Sequence, residues 1–536
     1  MALAHGFTPV ARLSVTSFAS LTALPPFIPL LPMLPWIDIA IIVVYMIASV
    51  GVGCWFYFAS RSPEGFTTAN GRAPGVIVGL SIFGTYVSSI SFLALPGKAF
   101  VGNWNAYGLS LSIPLAAWIA TKWFVPFYRN VGSISAYAHL EDRFEPWARV
   151  YASACYLLTQ VARMGSVLFL LALPLHHLLG WDVRWIIIVV GASAALYSMI
   201  GGITGILWTD ALQSVVLIVG ALTCALILVF QMPEGPRQLF EIAQANDKFS
   251  LGSFSVTDFC SSTFWVVLLY GLTINLQNFG IDQNFVQRYL TSPTERQAKN
   301  SVWLGALLYL PISAFFFFIG TALFAFYTAQ PDLITDPQLA ADIADGKGDG
   351  VFPYFIVHQL PVGMTGLLIA AILAAAMSTI SSSVNGASTL TLTDYYKRFF
   401  RPAAGEKEQM LVLYLSSLVW GALGIGCALL MISAKGVLDA YWNLMGIFSG
   451  GMVGLFLLGF LSRRATSKIA LISAVVGVTV ILWMTASLPR FGIWPESLAS
   501  FRCPLNELMI TVCGTAAILV TGFALTILVT KPDKTE

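Results

Sequence analysis

The sequence predicts an all-α integral membrane protein that crosses the bilayer about thirteen times. Three observations carry the prediction. Of the 536 residues, 57% are hydrophobic and only 10% are charged, with a mean hydropathy of +0.79, whereas a soluble domain is about 25% charged. Apolar runs of about 20 residues, long enough to cross a bilayer as helix, recur throughout the chain. The loops between them alternate in charge, as membrane topology requires.

Taken in order, residues 1–35 are an N-terminal extension, with Arg12 and a Pro-rich end at Pro25, Pro26, Pro29 and Pro32. No clear cleavage site follows, so a loosely ordered tail or a start-site artefact ahead of Met33 is expected. Hydropathy then marks spans near 36–58, 74–97, 104–128, 147–178, 185–200, 206–231, 262–284, 300–328, 363–397, 409–434, 437–461, 467–487 and 508–530. One set of loops is basic: Arg61 and Arg72; Arg129, Arg143 and Arg149; Arg288, Arg296 and Lys299; Lys397, Arg398, Arg401 and Lys407; Arg463, Arg464 and Lys468; Lys531 and Lys534. The other set is acidic or mixed, with Asp332, Asp336, Asp342, Asp345 and Asp349 in 329–362 and Glu234, Glu241, Asp247 and Asp258 in 232–261. The positive-inside rule puts the basic set in the cytoplasm. The amino end is then outside and the carboxyl end inside, which needs an odd number of spans. The two external segments are long enough for short helices that act as lids.

Two spans carry the marks of interrupted helices. In 74–97, Gly84 is followed by Thr85, Ser88, Ser89 and Ser91; in 262–284, Asn275, Gln277, Asn278 and Gly280 precede Asp282 and Gln283. Such groups at membrane depth suit a broken helix lining a cavity, and the alternative for the first is a flexible or closely packed helix. The two spans lie five apart, the arrangement of two repeated halves that each open with a broken helix. A third stretch, AILAAAMSTISSSVNG at 371–386, brings Ser378, Ser381 and Ser382 onto one helix face. That face serves either close packing or a hard-cation site built from neutral oxygens. Asp210 and Arg163 are lone charges within or near span ends, where a mid-membrane charge costs about 2.5–3.5 kcal/mol and needs a partner. For Asp210 the alternative is a helix-start carboxylate near the cytoplasmic surface. For Arg163 it is a structural ion pair.

Other classes are disfavoured. The seven cysteines form no CxxC, the five histidines no HExxH, and no GxxxxGK[ST] loop is present. No catalytic Ser/His/Asp order or pair of acids stands out, so an enzyme is not expected. A net charge of +2 gives no indication of nucleic acid. A membrane sensor domain is the non-transporter alternative, although KPDKTE after the last expected span carries no kinase.

These residues resemble the solute:sodium symporter family. GGITGILWTDALQ at 201–213 is similar to that family's GG-x-x-x-x-x-W-T-D-x-x-Q signature and DQNFVQRYL at 282–290 to a second one. ALPGKAF at 94–100, LEDRF at 140–144 and AAAMSTISSSVNG at 374–386 are similar to three further stretches. The resemblance runs from about 36 to 530 and implies a leucine-transporter-type fold. Its inverted five-helix repeats would occupy 74–231 and 262–462, after an extra helix at 36–58 and before two more in 467–530.

The resemblance also implies roles. A first sodium site would use carbonyls of Gly84, Val87 and Ala375 and hydroxyls of Ser378 and Thr379. A second would use Asp210, Ser378, Ser381 and Ser382, so one or two Na+ ions would travel with the solute. The local match is to bacterial sialic acid transporters, in which the Arg at the position of Arg163 holds the substrate carboxylate. Substrate-facing positions would be Tyr86, Ser88, Ser91, Ala106, Ser110 and Arg163, with Asn275 and Asn278 opposite. Tyr86, Ala106 and Ser110 depart from the Thr, Phe and Gln of that pattern, which reshapes the cavity. The implied function is sodium-coupled import of a carboxylated sugar, sialic acid, across a bacterial inner membrane, with the lipid-embedded monomer as functional unit. A neutral sugar or other small solute is the alternative cargo.

Overall fold

In lipid, a chain satisfies its backbone polar groups internally only as helix or closed barrel. The computed structural model describes residues 34–433, 450–488 and 494–529, and these are helix and loop with no strand among them. Ten of the helices are long and apolar enough to cross a membrane, and one bent pair makes an eleventh span. The order begins with α1 (Trp36–Trp55), α2 (Gly75–Tyr86), α3 (Ser89–Val101) and α4 (Asn105–Val131). Then come α5 (Ala138–Phe144), α6 (Pro146–Leu179), α7 (Val183–Phe230) and the short α8 (Pro236–Ala245). The next group is α9 (Phe264–Ile281), α10 (Gln283–Thr291), α11 (Glu295–Ala329) and the short pair α12 (Pro337–Ala344) and α13 (Val351–His358). The chain closes with α14 (Met364–Phe400), α15 (Glu406–Ser433), α16 (Gly450–Leu461), α17 (Ser467–Ala486) and α18 (Met509–Val529).

The segments 232–261 and 329–362 thus carry the short helices the sequence predicts. The expectation of thirteen spans also needs 437–461, of which only α16 is described. The predicted N-terminal extension lies almost wholly outside the described residues.

A straight helix of the 48 residues of α7 would run about 72 Å, more than twice the hydrocarbon core of about 30 Å. Gly202 divides it, with φ 50° and ψ −158°, between the spans expected at 185–200 and 206–231. Those angles are essentially a glycine-only conformation. A Cβ there would lie 2.9 Å from the Phe66 Cα. Gly202→Ala is therefore expected to destabilise the protein by about 2–3 kcal/mol, read as a lower unfolding temperature in detergent; an unchanged temperature would place the reversal elsewhere.

The two predicted breaks are present, each at a capping residue. α2 ends where Val87 and Ser88 turn extended, and α3 leaves at a bend of 53°. The break falls past Gly84 because Ser88 caps the second half: its Oγ accepts the Ser91 N–H at 3.3 Å. α9 and α10 are separated by Asp282 alone, whose Oδ1 accepts the Asn284 N–H at 2.8 Å.

α14 is the most enclosed span, with 94% of its apolar window buried, and α7, α6, α1 and α15 pack around it. Asp38 of α1 is fully buried at its head. Oδ1 accepts backbone N–H groups from Gly363 at 2.8 Å and Gly366 at 2.6 Å, an N-cap supplied by another helix. In the segment between α8 and α9, Lys248 grips the end of α3, donating to the Phe100 and Gly102 carbonyls at 2.6 and 2.9 Å above the Phe324 ring. Burial pushes its ammonium pKa down to about 8.

Candidate functional site

The hydroxyl face of α14 points inward at the level of the first break. A Cβ on Gly84 would lie 2.9 Å from Ser214 Oγ, 3.3 Å from Ser378 Oγ and 3.4 Å from the Asp210 carbonyl oxygen. The sequence-predicted pairing of α2 with the Ser-rich helix is therefore present. Thr379 Oγ1 donates to the Ala375 carbonyl at 3.1 Å, so those two groups share one turn of α14. Val87 is the extended residue that heads the break. Hydroxyl and carbonyl oxygens of this kind are the donor set a hard monovalent cation takes.

Asp210 lies about two turns beyond the Gly202 break and is wholly buried. The helix-start alternative for it fails. Oδ2 accepts from Ser81 Oγ at 2.5 Å and Arg288 Nη2 at 2.8 Å, and Oδ1 accepts from Ser378 Oγ at 2.7 Å. Arg288 also donates to Ser382 Oγ at 2.7 Å, Ser81 Oγ at 2.8 Å and the Asn284 carbonyl at 2.7 Å.

This corrects the assignment of Arg288 to a cytoplasmic loop: its side chain is 0% exposed and pairs inside the bundle. The reason is local. α10 is polar in sequence yet buried on every side from Gln283 to Tyr289, because it packs against α2, α11 and α14 at once. Of the four expected second-site ligands, Asp210, Ser378 and Ser382 join this network. Ser381 instead donates to its own helix, at the Ser378 carbonyl, 3.1 Å away.

Arg163 on α6 reaches both breaks. Nη2 donates to the Thr85 carbonyl at 3.4 Å, and Nη1 lies 4.0 Å from Asp282 Oδ2. Asp282 was not singled out as a site residue, although an Asp within a polar span is a capping signal. The Tyr86 hydroxyl donates to Asn275 Oδ1, and Asn278 Nδ2 donates to Tyr86 Oη at 3.4 Å. The Tyr86 ring packs against Phe279, Phe285 and Tyr309, with centroids 5.8, 5.5 and 4.8 Å away.

Asn275 is fully buried and also donates to the Leu109 carbonyl at 3.2 Å and Ser112 Oγ at 2.8 Å. It braces α9 against α4, while Asn278 is half-buried. Ser88 and Ser91 sit on the first break with their Oγ atoms 3.4 Å apart. Ser110 is buried against Ser313 of α11 at 2.7 Å, and Ala106 is half-buried in the first turn of α4. The structure thus gathers Tyr86, Asn275 and Asn278 at one point. It links Arg163 to the residue before Tyr86, and it ties Ser110 to α11.

Comparison with known proteins accords with this arrangement. The family model described as Sodium:solute symporter family matches residues 66–477. The chain is 31% identical over 489 residues to the sodium/sialic acid symporter SiaT of Proteus mirabilis (strain HI4320), covering 91% of this chain and 94% of that one. It is 30% identical over 485 residues to the sodium/sialic acid symporter NanT of Aliivibrio fischeri (strain ATCC 700601 / ES114), covering 89% and 90%. The solved substrate-bound, outward-open state of a Na+-coupled sialic acid symporter matches with a TM-score of 0.84 at 28% identity, over 94% of this chain and 100% of that chain. A nucleobase-cation-symport-1 family transporter, with a TM-score of 0.53 at 17% identity, shares the fold alone. On a match that spans well over half its length, the chain belongs to the sodium:solute symporter family.

Proposed function

We propose that this protein imports sialic acid, or a closely related carboxylated sugar, together with sodium across the inner membrane of a bacterium. The observation that carries the reading is Arg163. It is a guanidinium at membrane depth whose contacts among the described residues, to Thr85 at 3.4 Å and to Asp282 at 4.0 Å, are long. Most of its five N–H donors are left for a ligand, and its planar fork suits a carboxylate. The relatives named above favour the same cargo. Tyr86 with Asn275 and Asn278 adds a hydroxyl-and-amide wall, which also keeps a neutral sugar as the second reading.

In this reading sodium from outside binds Gly84, Val87, Ala375, Ser378 and Thr379, tying α14 to α2 and favouring the outward-open state. Solute then binds by Arg163, and the bundle rocks closed. Low internal sodium releases the ion and the solute follows. Sodium and solute raise each other's affinity by the same factor. The membrane potential contributes about 2.3 kcal/mol per charge per 100 mV, and a second ion doubles that electrical part. A second ion at Asp210, Ser378, Ser381 and Ser382 must displace the Arg288 guanidinium from Ser382. The amino end is outside, the carboxyl end inside, the monomer is the working unit, and the inverted repeats are 74–231 and 262–462.

Ser378→Ala and Thr379→Ala test the first site in proteoliposomes under a sodium gradient. Each removes one oxygen ligand and is expected to raise the half-saturating sodium concentration about tenfold or more, which is about 1.4 kcal/mol. Uptake that runs equally well in potassium would overturn sodium coupling.

A further inference from the structure

Three buried polar side chains gather near Gly386 of α14 and the turn before α5, on the side of the basic segment that carries Arg143 and Arg149. A Cβ at Gly386 would lie 2.7 Å from Tyr156 Oη and 2.5 Å from Asn284 Oδ1, so bare backbone leaves these two side chains room to face each other. The ring of Tyr137 is 5.9 Å from that of Tyr156. None of the three residues is more than 2% exposed. Yet Tyr137 Oη and Asn284 Nδ2 make no hydrogen bond, and the Tyr156 O–H, whose oxygen faces the Asn284 backbone amide, donates to none. Buried polar atoms are nearly always paired, and an unpaired one is costly.

Ser135 connects Tyr137 to Asp394: its Oγ accepts the Tyr137 N–H at 3.1 Å and donates to Asp394 Oδ2 at 2.8 Å. Asp394 is 1% exposed and accepts from Arg149 at 2.6 Å; Arg149 also holds Glu141 at 3.0 Å, and Arg398 reaches the same carboxylate. This ion cluster joins α5, α6 and the end of α14.

We propose that Tyr156, Asn284 and Tyr137 line the cytoplasmic release path as transient hydrogen-bond partners of the solute, with the Glu141–Arg149–Asp394–Arg398 cluster as the seal beneath them. The inference rests on the uptake of an acidic sugar proposed above. A carboxylated, hydroxyl-rich solute that leaves Arg163 loses its strongest partner inside a low-dielectric interior. Two phenolic hydroxyls and an amide N–H, all uncommitted while the path is closed, are the donors that replace it. Opening requires the ion cluster to part, which separates α5 from the end of α14.

The test uses full-length protein in proteoliposomes with a sodium gradient and N-acetylneuraminate as the probe. Tyr156→Phe and Tyr137→Phe are expected to lower the maximal uptake velocity about fivefold each, the worth of one hydrogen bond lost along the path. Solute affinity at saturating sodium, read by calorimetry, should stay within about twofold of wild type, because neither hydroxyl touches the solute at rest. The unfolding temperature should not fall, since neither O–H donates to a partner in the folded protein. Asn284→Ala should show the same split. Unchanged velocity in all three variants overturns the inference, as does affinity falling in step with velocity. Wild-type protein that neither binds nor takes up the probe removes the solute reading itself, and this inference falls with it.

Discussion

Arg163→Ala is expected to reduce uptake of N-acetylneuraminate by two to three orders of magnitude. Truncating one partner of a buried charge-assisted pair costs about 2–5 kcal/mol, and each 1.4 kcal/mol is about a factor of ten. The effect has two sources that a second variant separates. Arg163 would bind the solute carboxylate, and it is also the cation facing Asp282 at 4.0 Å. Arg163→Ala with Asp282→Asn removes the orphaned carboxylate, so any uptake that returns belonged to Asp282 rather than to solute binding. Arg163→Lys keeps the charge and loses the fork, and should recover only a small part. Scintillation uptake in proteoliposomes, with a neutral sugar run in parallel, decides the matter. Full uptake of the acid by Arg163→Ala would end the carboxylate assignment, and retained uptake of only the neutral sugar would move the cargo to the second reading.

Arg288→Met should be the most destabilising of the single substitutions considered. It strands Asp210 at 0% exposure with hydroxyl partners but no cation, a change that costs about 3–5 kcal/mol. Asp210→Asn with Arg288→Met removes both charges and should lose less than the two single changes summed, with a coupling of about 1–3 kcal/mol. Thermal unfolding in a fixed detergent and sodium concentration measures this cycle. Additive losses would mean that the pair contributes no more than its parts. On the functional side, Asp210→Ala should weaken the sodium response and bring its Hill coefficient toward one. A sodium titration indistinguishable from wild type would remove the second ion.

Much of this arrangement is legible in the amino acids. Hydropathy finds the spans because length and apolarity are what the bilayer selects. The hydroxyl run at 378–383 marks the central helix, since that many Ser and Thr residues face protein rather than lipid. Local rules are less sensitive to what happens at the breaks. Gly84 reads as part of the interruption, but α2 continues through it to Tyr86 and its missing side chain serves the close approach to Ser378 and the Asp210 backbone, the close packing that was its alternative. The chain turns at Ser88 and Asp282, residue types that cap helices, so capping chemistry is the better guide to an interruption.

Arg288 was invisible to hydropathy for a different reason. A window average over DQNFVQRYL reads as a loop, whereas its burial comes from the adjoining α11 together with α2 and α14, which are far away in sequence. The cost of Asp210 already demanded a cation somewhere, and the motif that contains Arg288 was in view; the pairing needed only that demand carried through.

The leading span offers a last consequence. Because one oxygen of Asp38 takes the two amides at the top of α14, and a Cβ at Gly366 would come within 2.7 Å of the Asp38 Cα, the two helices fit as a matched key and slot. A chimera that grafts the first span of a relative onto this scaffold must carry its acid and the receiving glycines together, or the graft will not seat.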